Sequence, residues 1–314
     1  MSDFFQHVIN GLAAGTIYAL VALGYTMVYG VLKLINFAHG DVMMVGVYAG
    51  YAVAFTLGQA RTSLWGVALI FLLALGLCAL LGFFIERFAY RPLREKPRLT
   101  ALITAIGISF ALSYGFQLDL TVNVGGRALT LLPGAAPRAF FEVISPTEWL
   151  VVGDREVVIW NWQVISFLIA VLLMVGLQLL VYFTRFGKAM RAVSFDHRTA
   201  ALMGIPVDRI IAGTFMLGSA LAAGAGLLYA IKDTAVQPLM GLYVGLKAFV
   251  AAVIGGIGNV PGAVVGALLL GLCEEFVVGY TASSWRDAVA FGFLIVVLLV
   301  RPEGLFGRVT AEKV

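Results

Sequence analysis

Apolar stretches close to twenty residues long recur along this chain, separated by short polar breaks, and nothing else in the sequence restricts its fold as much. A helix needs ~20 apolar residues to cross a bilayer core, where every backbone N–H and C=O must be bonded internally. The runs lie near residues 8–31, 42–57, 64–88, 100–117, 163–182, 210–231, 242–279 and 287–300. The seventh is interrupted at Gly255-Gly256-Ile257-Gly258-Asn259-Val260-Pro261-Gly262. Such a break either joins two short antiparallel helices or dips as irregular backbone lining a cavity; two short crossings are expected. The expectation is an all-α polytopic membrane protein of eight to nine transmembrane helices, one membrane domain over residues 1–314. With 61% hydrophobic and 12% charged residues, little chain is left for a soluble domain. The opening MSDFFQHVIN has no Lys or Arg ahead of its apolar run and no small-residue cleavage pattern, so a removable signal peptide is not expected.

Charge sets the expected orientation. Arg87, Arg91, Arg94, Lys96 and Arg98 follow the third run, and cytoplasmic loops are the ones enriched in basic residues. Residues 118–161 instead carry Arg127, Arg138 and Arg155 against Asp119, Glu142, Glu148, Asp154 and Glu156, which marks an extracytoplasmic insertion. Alternating or β-branched runs at Val122–Leu132 and Val151–Trp160, around Gly125-Gly126 and Gly153-Asp154, predict a small hairpin there. Trp149, Trp160 and Trp162 suit the outer interface. The next polar segment, 185–209, is basic again and returns inside, as does the C-terminal tail after Arg301. Lys247 is expected to snorkel outward, with Glu274 and Glu275 near the outer end of the following helix. The net charge of +4 thus reports membrane orientation and makes no case for nucleic acid. Cys78 and Cys273 stand singly in apolar runs and have packing roles.

Three groups of residues stand out against this background. The island Thr184–Ile211 holds Arg185, Lys188, Arg191, Asp196, His197, Arg198, Asp208 and Arg209. Lys188 to Leu202 reads as one short helix ended by Gly204, with Val193, Phe195, Ala200 and Met203 available for apolar contact and Asp208 placed to cap the next helix. It serves either as a docking element or as a loop kept soluble by its charges. Asn36, His39 and Asp41 form a polar wedge between the first two runs; they face water, a cavity or other helices, or Asp41 caps the second span. One His and one carboxylate make an incomplete metal site. Tyr18, Tyr25 and Tyr29 share approximately one helical face and either line a polar path or stack between helices. Thr104, Ser109 and Ser113 of the fourth run carry small hydroxyls that either bond across helices or face a wet path. Gly11 and Gly15 have the small-xxx-small spacing of close helix packing. The Gly-rich run near residue 256 lacks the Lys-Ser or Lys-Thr of a nucleotide loop.

Several longer strings resemble one family. Thr16-Ile17-Tyr18-Ala19-Leu20, Gly24-Tyr25-Thr26-Met27-Val28-Tyr29-Gly30 and Ile35-Asn36-Phe37-Ala38-His39-Gly40 are similar to the opening of LivH-type permease subunits of branched-chain amino acid ABC transporters. So are Gly187 with Arg191-Ala192, Asp196, Ala200, Leu202, Gly204-Ile205 and Arg209, and Lys247-Ala248-Phe249 with Gly255-Gly256-Ile257-Gly258 and Pro261-Gly262-Ala263. The stretch from Leu118 to Trp160 has no matching motif, and Glu275 adds an acid beside the family-like Glu274.

The resemblance implies a multi-pass permease of the bacterial inner membrane, its C-terminus cytoplasmic. It would pair with a second related permease, two ATPase subunits that carry ATP and Mg, and a periplasmic amino-acid-binding protein. No cofactor and no catalytic residue are expected on this chain. By the same resemblance residues 185–209 form a cytoplasmic coupling segment, with Gly187, Lys188, Arg191, Asp196, Arg198, Leu202, Gly204 and Arg209 as coupling candidates. Tyr25, Asn36, His39, Asp41 and Glu274 are the candidates for the pathway or its gate. The alternatives are a permease of the same family for urea or short amides, or an ion-coupled secondary transporter with Asp41, Glu274 or Glu275 carrying protons.

Overall fold

The computed structural model describes residues 2–94, 96–124, 127–144, 146–152 and 157–307. The helices are α1 (Ser2–Leu32), α2 (His39–Leu57), α3 (Leu64–Phe84), α4 (Arg98–Gly115), α5 (Asn161–Phe183), α6 (Arg185–Phe195), α7 (His197–Leu202), α8 (Val207–Lys232), α9 (Met240–Gly255), α10 (Val260–Tyr280) and α11 (Arg286–Val300). Among the described residues, seven helices are long and apolar enough to cross a membrane, and α4 and α9 add two shorter apolar ones. The expected eight to nine helices are met, and the Gly-rich break is the turn between α9 and α10.

Helix α1 is apolar on all sides because it is enclosed on all sides: α10, α8, α9 and α5 surround it. Its Gly11 and Gly15 do what their spacing predicts. A Cβ on Gly11 would stand 2.9 Å from Leu272 Cα, and one on Gly15 2.8 Å from Leu268 Cα, so α1 and α10 meet backbone to backbone. Gly46 against Ala223 and Gly226 against the Met43 carbonyl bring α2 equally close to α8.

The bundle has two unlike ends. At one, β1 (Asp119–Val124) pairs antiparallel with β2 (Arg127–Pro133), and β4 (Glu148–Val152) with β5 (Val157–Trp160); β3 (Arg138–Ala139) pairs with β6 (Ala235–Val236) ahead of α9. The single hairpin expected is thus two hairpins. Their turn residues Gly125, Gly126 and Gly153–Glu156, including the counted charges Asp154, Arg155 and Glu156, lie outside the described residues. Val158 N donates to Gln6 Oε1 at 2.9 Å, which puts the start of α1 at this hairpin end. The opposite, basic end holds α6 and α7, with His197 Nε2 lying 2.8 Å from the carbonyl oxygen of Val31.

Helices α2 and α9 begin inside the bundle. His39 packs on Gly24, eight residues before the end of α1 and therefore roughly 12 Å below it. Beside it Gly40 lies on Gly241 and Gly245 of α9, with no side chain between the two backbones. Two helix N-termini thus meet in the interior, where only glycines allow the approach.

Candidate functional site

The polar island folds as a braced pair of helices. Thr184 Oγ1 accepts from Gly187 N at 3.0 Å, capping α6, and Gly187 sits so close to the carbonyls of Leu180 and Val181 that no side chain fits. Helix α6 therefore folds back against the end of α5 and buries Met190 and Val193. The single helix expected over Lys188–Leu202 is broken at Asp196, which is extended with φ −154° and ψ 117°. Its carboxylate accepts from Arg198 N at 2.8 Å, Thr199 N at 3.3 Å and Thr199 Oγ1 at 2.9 Å. The Thr199 hydroxyl first, then the Thr199 and Arg198 N–H groups, hold the Asp196 carboxyl below its ordinary range. Capping α7 outweighs continuing α6 because an Asp side chain competes for backbone N–H groups.

Gly204, at φ +80°, ends α7 as expected, and Ile205 N returns to the Ala200 carbonyl at 3.1 Å. Burying Val193 and Ala200 leaves a different apolar surface from the one expected: Phe195, Leu202 and Met203 are 94%, 87% and 79% exposed. Around them Lys188, Arg191, Arg198 and Arg209 are exposed too, with the Arg191 guanidinium 5.2 Å from the Tyr182 ring centre.

Asp208 does not cap α8; Pro206 holds that position without a side-chain bond. Asp208 instead pairs with Arg91 and with Arg94 Nη1 at 2.6 Å, and Arg94 also pairs with the buried Glu86. Glu86 lies in the π-helical turn Ile85–Tyr90 that extends α3. A chain of ion pairs thus joins the start of α8 to the end of α3. The sequence carried one sign of it, an acid at the end of an apolar run just before a basic loop.

Four of the five pathway candidates come together where α2 begins. Asn36 Oδ1 accepts from Tyr90 Oη at 2.9 Å and Ala38 N at 3.2 Å. The His39 ring stands edge-on to Tyr25, with centres 4.7 Å apart, and Tyr25 also meets Phe249 at 6.0 Å. Asp41 is not the cap of α2, whose N-cap is Ala38 without a side-chain bond. It is 1% exposed and accepts from Ser109 Oγ and Ser113 Oγ of α4, each at 2.5 Å. Those serines, whose role was open, bond across helices, whereas Thr104 bonds the Thr100 carbonyl of its own helix. Asp41 also lies in the first turn of α2, where the helix dipole favours a negative charge.

Glu274 belongs to a second cluster nearer the hairpin end. Tyr18 Oη donates to Glu274 Oε2 at 2.9 Å, and Lys247 Nζ lies 3.2 Å from Glu274 Oε1 and 2.8 Å from Asp287 Oδ1. Lys247 does not snorkel: its side chain is 11% exposed and ties α9 to α10 and α11. Glu275 meets Arg286 at 3.4 Å. Among the described residues no group of three His, Cys, Asp or Glu could hold a metal ion.

The family described as Branched-chain amino acid transport system / permease component matches residues 7–298. The permease protein LivH of a high-affinity branched-chain amino acid transport system in Salmonella typhimurium LT2 is 40% identical over 316 residues, spanning 99% of this chain and 98% of that protein. The corresponding protein BraD of Pseudomonas aeruginosa is 42% identical over 319 residues, with the same shares of both chains. A probable LivH of Methanocaldococcus jannaschii is 27% identical over 295 residues, 92% of this chain and 88% of that protein. With matches that run the length of both molecules, this chain belongs to the family of membrane permease components of branched-chain amino acid ABC transport systems.

Proposed function

We propose that the chain is one membrane half of an ATP-driven importer of leucine, isoleucine, valine or similar apolar amino acids in the bacterial inner membrane. A second related permease completes the pathway, two ATPase subunits with ATP and Mg engage the basic end from the cytoplasm, and a periplasmic amino-acid-binding protein delivers substrate at the hairpin end. The full-length relatives named for branched-chain amino acid transport support the substrate class. The excess of Arg and Lys over residues 87–98 and 185–209 supports the orientation, which places the C-terminus inside.

The observation that carries the mechanical reading is the exposed apolar tip of the α6–α7 pair. Phe195, Leu202 and Met203 project from a base fixed by the Thr184 and Asp196 caps, a rigid knob ringed by Lys188, Arg191, Arg198 and Arg209. Gly187 lets the knob sit tight on α5, and Gly204 turns the chain from it into α8. Closure of the ATPases would push the knob, and Asp208 with Arg91, Arg94 and Glu86 would pass the displacement from α8 to α3. Nucleotide state then selects between inward- and outward-open packings.

The test is co-purification and uptake. Asp196→Arg or Arg191→Glu is expected to leave the bundle folded and to strip the ATPase subunits from the complex. Full association and transport in both variants would refute the coupling role. Gradient-driven uptake by the reconstituted chain without ATPases would refute the ABC reading itself.

A further inference from the structure

The hairpin end contains a cavity of about 290 Å³ between α1, α5, α8 and α10, walled by Gln6, Asn10, Trp160, Trp162, Lys232 and Glu275. That size, at the small end of ligand pockets, suits one small molecule. It carries one charge of each sign, Lys232 and Glu275. Glu275, 9% exposed, meets Arg286; Lys232 in the last turn of α8 has no carboxylate within 4 Å among the described residues, and Glu275, Glu274 and Asp233 act on it from farther off. One cation and one carboxylate thus line the same cavity without an ion pair between them, an arrangement that offers opposite charges to a ligand carrying both.

The polar lining is fixed in place. Asn10 Oδ1 accepts from Gln6 Nε2 at 3.1 Å and Gln163 Nε2 at 2.9 Å; Gln6 is held by Val158 N, and Gln163 by Trp160 N at 3.0 Å. Gln163 is 5% exposed, and one turn deeper on the same face of α5 the Ser166 hydroxyl is buried with no partner. A fixed amide ladder, a cation outside direct ion-pair contact, a carboxylate and two indoles line one cavity.

We propose that this cavity binds one free α-amino acid with an apolar side chain: its carboxylate pairs with Lys232, its ammonium faces Glu275, and its side chain lies along Trp160 and Trp162. This rests on the amino-acid permease reading and adds a site on the membrane subunit itself, apart from the delivering protein. A carboxylate and a lipid phosphate share the anionic oxygens that Lys232 needs, and the experiment separates them.

The assembled permease–ATPase complex, without binding protein, is placed in phosphatidylcholine nanodiscs and titrated calorimetrically with L-leucine, isoamylamine and 4-methylpentanoate. Leucine is expected to bind, and both analogues, each lacking one charged group, to bind at least about tenfold more weakly. Lys232→Gln weakens leucine binding to a similar degree and Lys232→Arg restores it, with unchanged melting temperatures as the folding control. If Lys232→Gln fails to fold, the analogue series on the unaltered protein decides. No leucine binding, or equal binding of the three ligands, overturns the site. Heat from phosphatidylglycerol addition that depends on Lys232, with none from leucine, assigns the cavity to a headgroup and also overturns it. ATP-dependent leucine uptake with binding protein is measured alongside: uptake without direct binding sinks the site and spares the transport reading, and direct binding without uptake does the reverse.

Discussion

Asp41 and Glu274 are both carboxylates buried among apolar helices, and the bundle holds them in opposite ways. Asp41 is met by two hydroxyls from one neighbouring helix and lies in the first turn of its own. Glu274 is met by a phenol and by an ammonium that it shares with Asp287, so that α1, α9, α10 and α11 converge on one charge cluster. Neutral donors tie helices without placing a second charge in the core. An ion pair ties more helices, but removing one partner strands the other in a medium that solvates it poorly.

The largest expected effect follows from that asymmetry. Lys247→Met leaves Glu274 without its ammonium and should destabilise the bundle by about 3–5 kcal/mol, read from denaturation in detergent. Adding Glu274→Gln should recover much of the loss; a Lys247→Met protein as stable as the parent would erase the contrast between the clusters. The paired change Ser109→Ala and Ser113→Ala should cost less, about 2 kcal/mol, and should raise hydrogen exchange along α4. A larger loss there than at Lys247 would reverse the ranking. His39→Ala is expected to lower uptake while the spans stay folded, because His39 lies where α2 and Tyr25 meet; normal uptake would leave that histidine a packing residue.

The smallest stability effect belongs to the exposed carboxylate, Asp196. Asp196→Ala should leave the melting temperature of the bundle nearly unchanged and reduce ATPase association. Because its hydrogen bonds depress the folded-state pKa, its contribution is present at neutral pH and lost only as pH falls through that lowered value. Association measured down a pH series should therefore persist through mild acidification, and loss near neutrality would count against the cap.

Much of the fold was legible because run length alone determines which segments can span, and Gly11 and Gly15 foretold the tight α1–α10 contact. The partners of the buried acids were not. Ser109 and Ser113 lie in another helix about seventy residues from Asp41, and Asp287 reaches Lys247 from a helix forty residues on, so no local pattern joins them. The break at Asp196 was hidden by alanines that favour helix on either side, although Thr199, three residues on, supplied the cap's extra donor. Asp208 read as a cap because its position before an apolar run suits one, but two arginines of the α3–α4 link claimed it.

The meeting of Gly40 with Gly241 and Gly245 has a practical consequence. Two backbones that touch without interlocking side chains can slide, and a single methyl group introduced at Gly241 would act as a wedge in that bearing. Such a variant would jam the exchange between arrangements and supply a locked particle for imaging.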